Sequence, residues 1–144
     1  TNTFPHLQDL SNFMKGVNNL IDDEGILFLE AHYLADIYNQ IAFDTIYHEH
    51  VSYWHLQPIV KMFGDFGFEV KFVERLPLHH GQLRVVASKS KSIKQDVSVA
   101  NLIEWENENQ IGSKEKAVEF AENSINIKNE LNLVINNLKK MEKV

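Results

Sequence analysis

The sequence predicts an α/β fold: the second half of a doubly wound domain, ending in an antiparallel hairpin and followed by a helical C-terminal segment. Three observations predict it. Apolar residues recur at spacings of three and four over residues 7–21, and a continuous apolar run, Ile26-Leu27-Phe28-Leu29, follows directly. Two further apolar stretches then flank a Pro/Gly turn at 77–81. Helix, strand, helix, helix, strand, strand is the order of a half-domain with helices packed on a sheet.

Leu7, Leu10, Phe13, Met14, Val17, Leu20 and Ile21 fall on one face of an amphipathic helix. Asp22-Asp23-Glu24-Gly25 punctuates it, and the bounded run 26–29 reads as a central, parallel-type strand buried on both faces. Tyr33 to Ile41 reads as a short helix. Residues 43–50 show neither period and are placed in a loop, where chemistry concentrates. Leu56, Ile59, Val60 and Phe63 give another helix, with Gly64 and Gly67 as its stop. Phe68, Val70 and Phe72 alternate with Glu69 and Lys71, a half-exposed strand with the lysine outward. Leu83-Arg84-Val85-Val86-Ala87 is close enough to pair with it as a hairpin.

Residues 89–96 are polar and basic, as in a linker, with Asp96 placed to cap the next helix. The domain reading is therefore 1–88, a linker at 89–96, and a helical segment at 97–144. Within that segment Ala117, Phe120, Ser124, Ile127, Leu131, Val134, Leu138 and Met141 alternate by three and four, a coiled-coil seam over 113–143. Packing on the chain's own α/β body is the expected fate of this seam, with self-association as the alternative.

With 144 residues and 44% hydrophobic content the chain can bury a core. Its net charge of -6 and pI near 5.6 argue against a nucleic-acid backbone as partner. No apolar run approaches the roughly 20 residues of a membrane span, and the N-terminus lacks the pattern of a signal peptide, so the expected location is the cytoplasm. Zero Cys excludes disulfides and thiolate metal sites. Thr1 opens the chain without an initiator Met and Val144 closes it after a long helical pattern, so both ends read as cut.

Tyr47-His48-Glu49-His50 puts a phenol, two imidazoles and a carboxylate into four residues. Imidazole accepts a proton near neutral pH, and a carboxylate within reach fixes its tautomer. A solvated polar loop is the plain alternative. A metal site built on His48 and His50 with His79 and His80 lacks defined further ligands, so no metal is assigned. His79-His80-Gly81 reads as turn chemistry. Asn2 and His6, ahead of the first helix, lie where a doubly wound fold delivers residues to its ligand crevice. The six glycines never form G-x-G, so no nucleotide-cofactor cradle is recognised and the cofactor-binding residues are unknown.

Asn2-Thr3-Phe4-Pro5-His6, Glu30-Ala31-His32-Tyr33-Leu34 and Phe43-Asp44-Thr45-Ile46-Tyr47-His48-Glu49-His50-Val51-Ser52-Tyr53 together closely resemble the S-adenosylmethionine-dependent sugar C-methyltransferases. The resemblance runs along nearly the whole chain. It implies a three-part enzyme: a zinc-binding N-terminal domain outside this chain, a Rossmann-like S-adenosylmethionine domain whose second half is residues 1–88, and a C-terminal domain. The implied reaction removes a proton beside the keto group of a nucleotide-activated deoxysugar and methylates that carbon. His50 then resembles the base, with Tyr47 and Glu49 in the catalytic set and Asn2, His6, His48 and Arg84 on the sugar nucleotide. S-adenosylmethionine would be held mainly by residues outside this chain, which alone would be inactive. The family's Gly-Gly-Ser appears as His80-Gly81-Gln82, with Leu83-Arg84 retained, which puts the substrate in doubt. A non-catalytic interaction module using the heptad helix, or methyl transfer to oxygen or nitrogen, are the other readings.

Overall fold

The computed structural model describes residues 3–141. Asp9 accepts a hydrogen bond from the Asn12 amide at 2.9 Å and so starts α1 (Leu10–Leu20). β1 (Ile26–His32) and the short α2 (Leu34–Gln40) follow, α2 ending on a left-handed Ile41. A 3-10 turn at Phe43–Thr45 opens the loop that leads to α3 (Leu56–Asp65). Gly67, with φ 81°, turns the chain out of α3 into β2 (Glu69–Leu76) and β3 (Gln82–Ser88). α4 (Val97–Glu108) and α5 (Lys114–Met141) complete the described chain.

The strands form one antiparallel sheet in the order β1-β3-β2. β1 and β2 therefore run parallel to each other with β3 reversed between them. The apolar run at 26–29 predicts a central strand buried on both faces; among the described residues β1 is instead an edge strand buried on one face. Leu29 and Ala31 point into the core, whereas Phe28 is 67% exposed. The cause is the two-residue pleat: alternate side chains face opposite sides, and the helices cover only one. On that side Met14, Ile59, Phe63 and Val99 pack with Leu29, Val73, Leu83 and Val85.

A bulge between Val70 and Phe72 corrects the simple alternation read for β2. One extra residue shifts the pleat, so Lys71 turns inward and is buried while Phe72 turns out. The buried ammonium is paired with Glu69 Oε2 at 2.6 Å. The polar stretch 89–96 is tied to the body rather than loose. Lys89 Nζ donates to the carbonyls of Asn18 and Ile21 at the end of α1, and Gln95 Nε2 donates to Val70 O at 2.7 Å. Asp96 caps α4 as its sequence position predicts, accepting from the Ser98 amide at 2.8 Å.

The seam of α5 does not pack on the α/β body along its length. Phe120 meets Tyr38 at 5.3 Å between ring centroids, but Ile127, Leu131, Val134 and Leu138 are exposed. No helix among the described residues is long and apolar enough to cross a membrane.

The start of α3 is held from a distance. Glu106 of α4 has no exposed surface, and its carboxylate accepts from the Leu56 amide at 2.6 Å and the Gln57 amide at 3.2 Å. It also accepts from Tyr33 Oη at 3.1 Å and from His55 Nδ1 at 3.0 Å. A buried charge is tolerable only with such a set of donors, and the positive end of a helix adds to them. Burial first, then the charge of Glu106, push the Tyr33 phenol far above its ordinary range, so it stays a donor. Glu106→Ala would leave two helix amides and a phenol unpaired in the interior. It should cost about 3–5 kcal/mol of stability, read from the shift in chemical-denaturation midpoint at constant slope.

Candidate active site

The loop between α2 and α3 is fastened to the 3-10 turn at Phe4–His6, which itself is anchored by Phe4, buried and 4.9 Å from the Trp54 ring. Val51 N donates to Pro5 O at 2.9 Å, and His6 Nδ1 donates to Glu49 O at 2.9 Å. A turn closed by His50 N and Tyr47 O at 3.0 Å brings Tyr47 over His50. These contacts, with the end of β1, gather His6, His32, His50, Tyr47 and Tyr53.

His50 lies at the middle of the group. Its ring centroid is 4.9 Å from His6 and from His32, and 4.3 Å from Tyr47. Nδ1 of His50 is 2.8 Å from Thr45 O, and a carbonyl can only accept, so Nδ1 carries the hydrogen. In the neutral ring Nε2 then keeps its lone pair, and Tyr47 Oη donates to it at 3.2 Å. The same reasoning fixes His6, whose Nδ1 faces a carbonyl and whose Nε2 is free to accept. Tyr53 Oη shares the Thr45 carbonyl at 3.3 Å, and burial raises its pKa. Between α2, this loop and the start of α5 a cleft of 530 Å³ is lined by Leu34, Tyr38, Ile46, Val51, Tyr53 and Phe120, with no imidazole in its wall.

Of the residues singled out in the sequence, His6, Tyr47 and His50 come together. Glu49 contributes its carbonyl to His6, while its carboxylate points outward with 61% exposure, 3.9 Å from the equally outward His48. Arg84 stands on the uncovered face of the sheet, where Nε and Nη2 meet Glu30 at 2.7 Å and Nη1 meets Glu74 at 3.2 Å. Asn2 lies outside the described residues. His79 and His80 adopt left-handed backbone with φ of 47° and 65°, and Gly81 continues it at 100°. A Cβ at Gly81 would run into Asp36, so this turn needs glycine on two grounds. Among the described residues no group of three His, Cys, Asp or Glu side chains converges as a metal site.

Two members escaped the sequence reading, His32 and Tyr53. His32 is the last residue of β1, and an ionisable residue at the end of a sheet strand was the available signal. Its Nδ1 is buried and has no hydrogen-bond partner. Burial, followed by His50, His79, His6 and His80, lowers its pKa below the ordinary value near 6.5.

The chain is similar to a C-methyltransferase. It is 34% identical over 85 residues to C-methyltransferase NovU of Streptomyces niveus, an alignment covering 59% of this chain. The aligned part is 20% of NovU, so the chain spans about a fifth of the length of that relative. No protein-family model matches the chain. The relationship to NovU places the imidazole cluster in a chain related to a methyltransferase.

Protonation of His32 sets a pH dependence. The unfolded imidazole gains its proton as pH falls through about 6.5, while the folded one resists until lower pH, so the unfolded state binds more protons in that window. Stability is thus full above about pH 6.5 and declines below it. Urea midpoints measured from about pH 7.5 to about pH 5.5 should fall less steeply in His32→Phe than in the parent chain. Equal slopes would contradict the assignment.

Proposed function

We propose that this chain carries the proton-abstracting residues of an S-adenosylmethionine-dependent C-methyltransferase acting beside the ketone of a nucleotide-activated 4-keto-deoxysugar. The single observation that supports it best is the fixed tautomer of His50: Thr45 O holds the Nδ1 hydrogen and leaves Nε2 as the basic atom. A general base needs its lone pair presented in one defined place, within reach of polar groups that hold developing charge. The similarity to a C-methyltransferase supplies the reaction class.

In this reading Nε2 of His50 takes a proton from the carbon next to the ketone. The C–H electron pair moves into the bond between that carbon and the carbonyl carbon, and the oxygen becomes an enolate. A ketone-adjacent proton is far less acidic than imidazolium, so donors to that oxygen are essential. Tyr47, now on Nε2, is free to swing its hydroxyl to the substrate once the base is engaged. His6 lies across the ring of His50 and lines the sugar. The residues outside the cluster have weaker roles here. His48 and the Glu49 carboxylate face solvent, and Arg84 already has two carboxylate partners.

S-adenosylmethionine, the methyl donor in this reading, does not find a cradle among the described residues. Gly25, Gly81 and Gly112 make their close approaches to the chain's own Ile21, Asp36 and His55, and no atom lies within 4 Å of a Cβ placed at Gly16, Gly64 or Gly67. No glycine backbone here faces a nucleotide pocket, so cofactor binding is assigned to residues outside the described chain. β1 and β2 run in the same direction on either side of β3, and the uncovered Ile26, Phe28 and Phe72 leave an apolar sheet face that further structure could cover.

Deuterium wash-in tests the base without any methyl donor. The full chain, given a nucleoside-diphosphate 4-keto-6-deoxyhexose in heavy water, should exchange the proton beside the ketone, and His50→Ala should slow exchange by about 100-fold or more. Undiminished exchange in that variant rules His50 out as the base. Methyl found on oxygen or nitrogen of the product would favour those transferases instead.

A second reading, an interaction module, is favoured by the uncovered heptad positions of α5. In that case sedimentation should show a concentration-dependent dimer that Leu131→Lys abolishes. A chain monomeric at all concentrations would remove this reading.

A further inference from the structure

His32 holds the one buried side-chain nitrogen without a hydrogen-bond partner among the described residues. Buried polar atoms are ordinarily paired, and one that is not stands out where a ligand is to be met. The atom belongs to a ring 4.9 Å from that of His50, tilted by 50° to it, so the unpaired nitrogen sits beside the proposed base and not in a remote part of the core. It also comes from a different element: His50 rides on the loop, whereas His32 ends β1, with Gln82 of β3 as its register partner. A strand end in a packed sheet is a stiffer mount than a loop.

We propose that His32 is a catalytic residue whose Nδ1–H donates to the ketone oxygen of the substrate while His50 takes the proton from the adjacent carbon. This deepens the function proposed above and rests on it. As the C–H pair moves into the new carbon–carbon double bond, the π pair of the carbonyl passes to oxygen. The proton lies on His50 Nε2, and the enolate oxygen is held by the N–H of His32, which itself loses nothing. An imidazole serves this purpose only if it carries one hydrogen and no charge that would require solvation.

The surroundings favour that state. Burial opposes a positive charge on the ring, and the imidazoles of His50, His79, His6 and His80 oppose it in addition. Once His50 has accepted its proton, that opposition strengthens, so the donor remains neutral at the moment the enolate forms. A neutral imidazole beside a second, proton-accepting imidazole divides the work: one removes the hydrogen, the other receives the charge.

Two variants and one spectrum test this in the full chain, with the same nucleoside-diphosphate 4-keto-6-deoxyhexose in heavy water. His32→Phe keeps a ring and removes the donor; His32→Asn places an amide N–H near the position of Nδ1. The Phe variant should lose about 100-fold in the exchange rate at saturating ketosugar with KM little changed, and Asn should restore most of the loss. Exchange in His32→Phe equal to that of the parent overturns the proposal while leaving His50 as the base. No exchange in the parent chain defeats the parent reading instead. Should both variants fail to fold, nitrogen-15 spectra of the unaltered chain decide. Adding the ketosugar should shift the His32 Nδ1 resonance in the direction of a newly formed hydrogen bond, and an unmoved resonance overturns the assignment.

Discussion

The candidate site depends on the buried carboxylate of Glu106. A helix begins with amides that have no partner in their own turn, and α3 has no side chain at its own N-cap to answer them. Glu106 answers from α4, fifty residues further along the chain. Because Tyr33 and His55 donate to the same carboxylate, one group fixes the end of β1, the start of α3 and the packing of α4 together. Leu34 N to Trp54 O, at 2.8 Å, runs alongside as a second tie. The loop bearing Tyr47 and His50 is strung between those anchors. His32 is the neighbour of Tyr33, so the same constraint positions the two imidazoles that come from separate elements.

The polar groups that orient the site are mostly backbone. Thr45 O and Glu49 O decide which nitrogen of His50 and His6 carries hydrogen, and Thr45 is itself held by its hydroxyl donating to Ala42 O at 2.7 Å. A carboxylate in that place would add negative charge beside the base and bind the resulting imidazolium tightly. A carbonyl fixes the tautomer without that charge. Glu49 therefore contributes through its position in the chain, and its carboxylate is spent in solvent.

The regular elements were legible because their periods are strong. Leu10, Met14 and Val17 announce α1, and Asp96 announces the start of α4 by the chemistry of its cap. The hairpin follows from the turn at 77–81, where Gly81 lies against Asp36 and admits no other residue. What a one-dimensional pattern cannot carry is the partner on the far side of a contact. The apolar run of β1 reads alike whether one face or two are covered. A single extra residue at Val70/Phe72 reverses the facing of Lys71, and no periodic count registers a bulge. Glu106 looks like any charged residue of a polar helix, since only the tertiary fold brings the amides of Leu56 and Gln57 to it. The motif around Tyr47 marks the candidate cluster, but its His48 and Glu49, which face solvent, are indistinguishable in sequence from the residues that turn inward. His32 lies within Glu30-Ala31-His32-Tyr33-Leu34, with no second imidazole near it in sequence to mark it.

The uncovered sheet face bears on how a sugar nucleotide would lie. Along β1 it runs from Ile26 and Phe28 through Glu30 to His32, and Arg84 sits across from Glu30 on β3. Two carboxylates on one guanidinium leave that patch with a net negative charge, which repels a diphosphate. For Arg84 to hold phosphate, Glu30 or Glu74 would have to release it, giving up a charge-assisted bond in exchange for another. A ketone placed at His50 and His32 has no such conflict, since no carboxylate hydrogen-bonds either ring. The charge arrangement thus separates the two ends of the proposed ligand: in that reading the sugar goes to the imidazole cluster, and the diphosphate is better directed away from the Arg84 network than toward it.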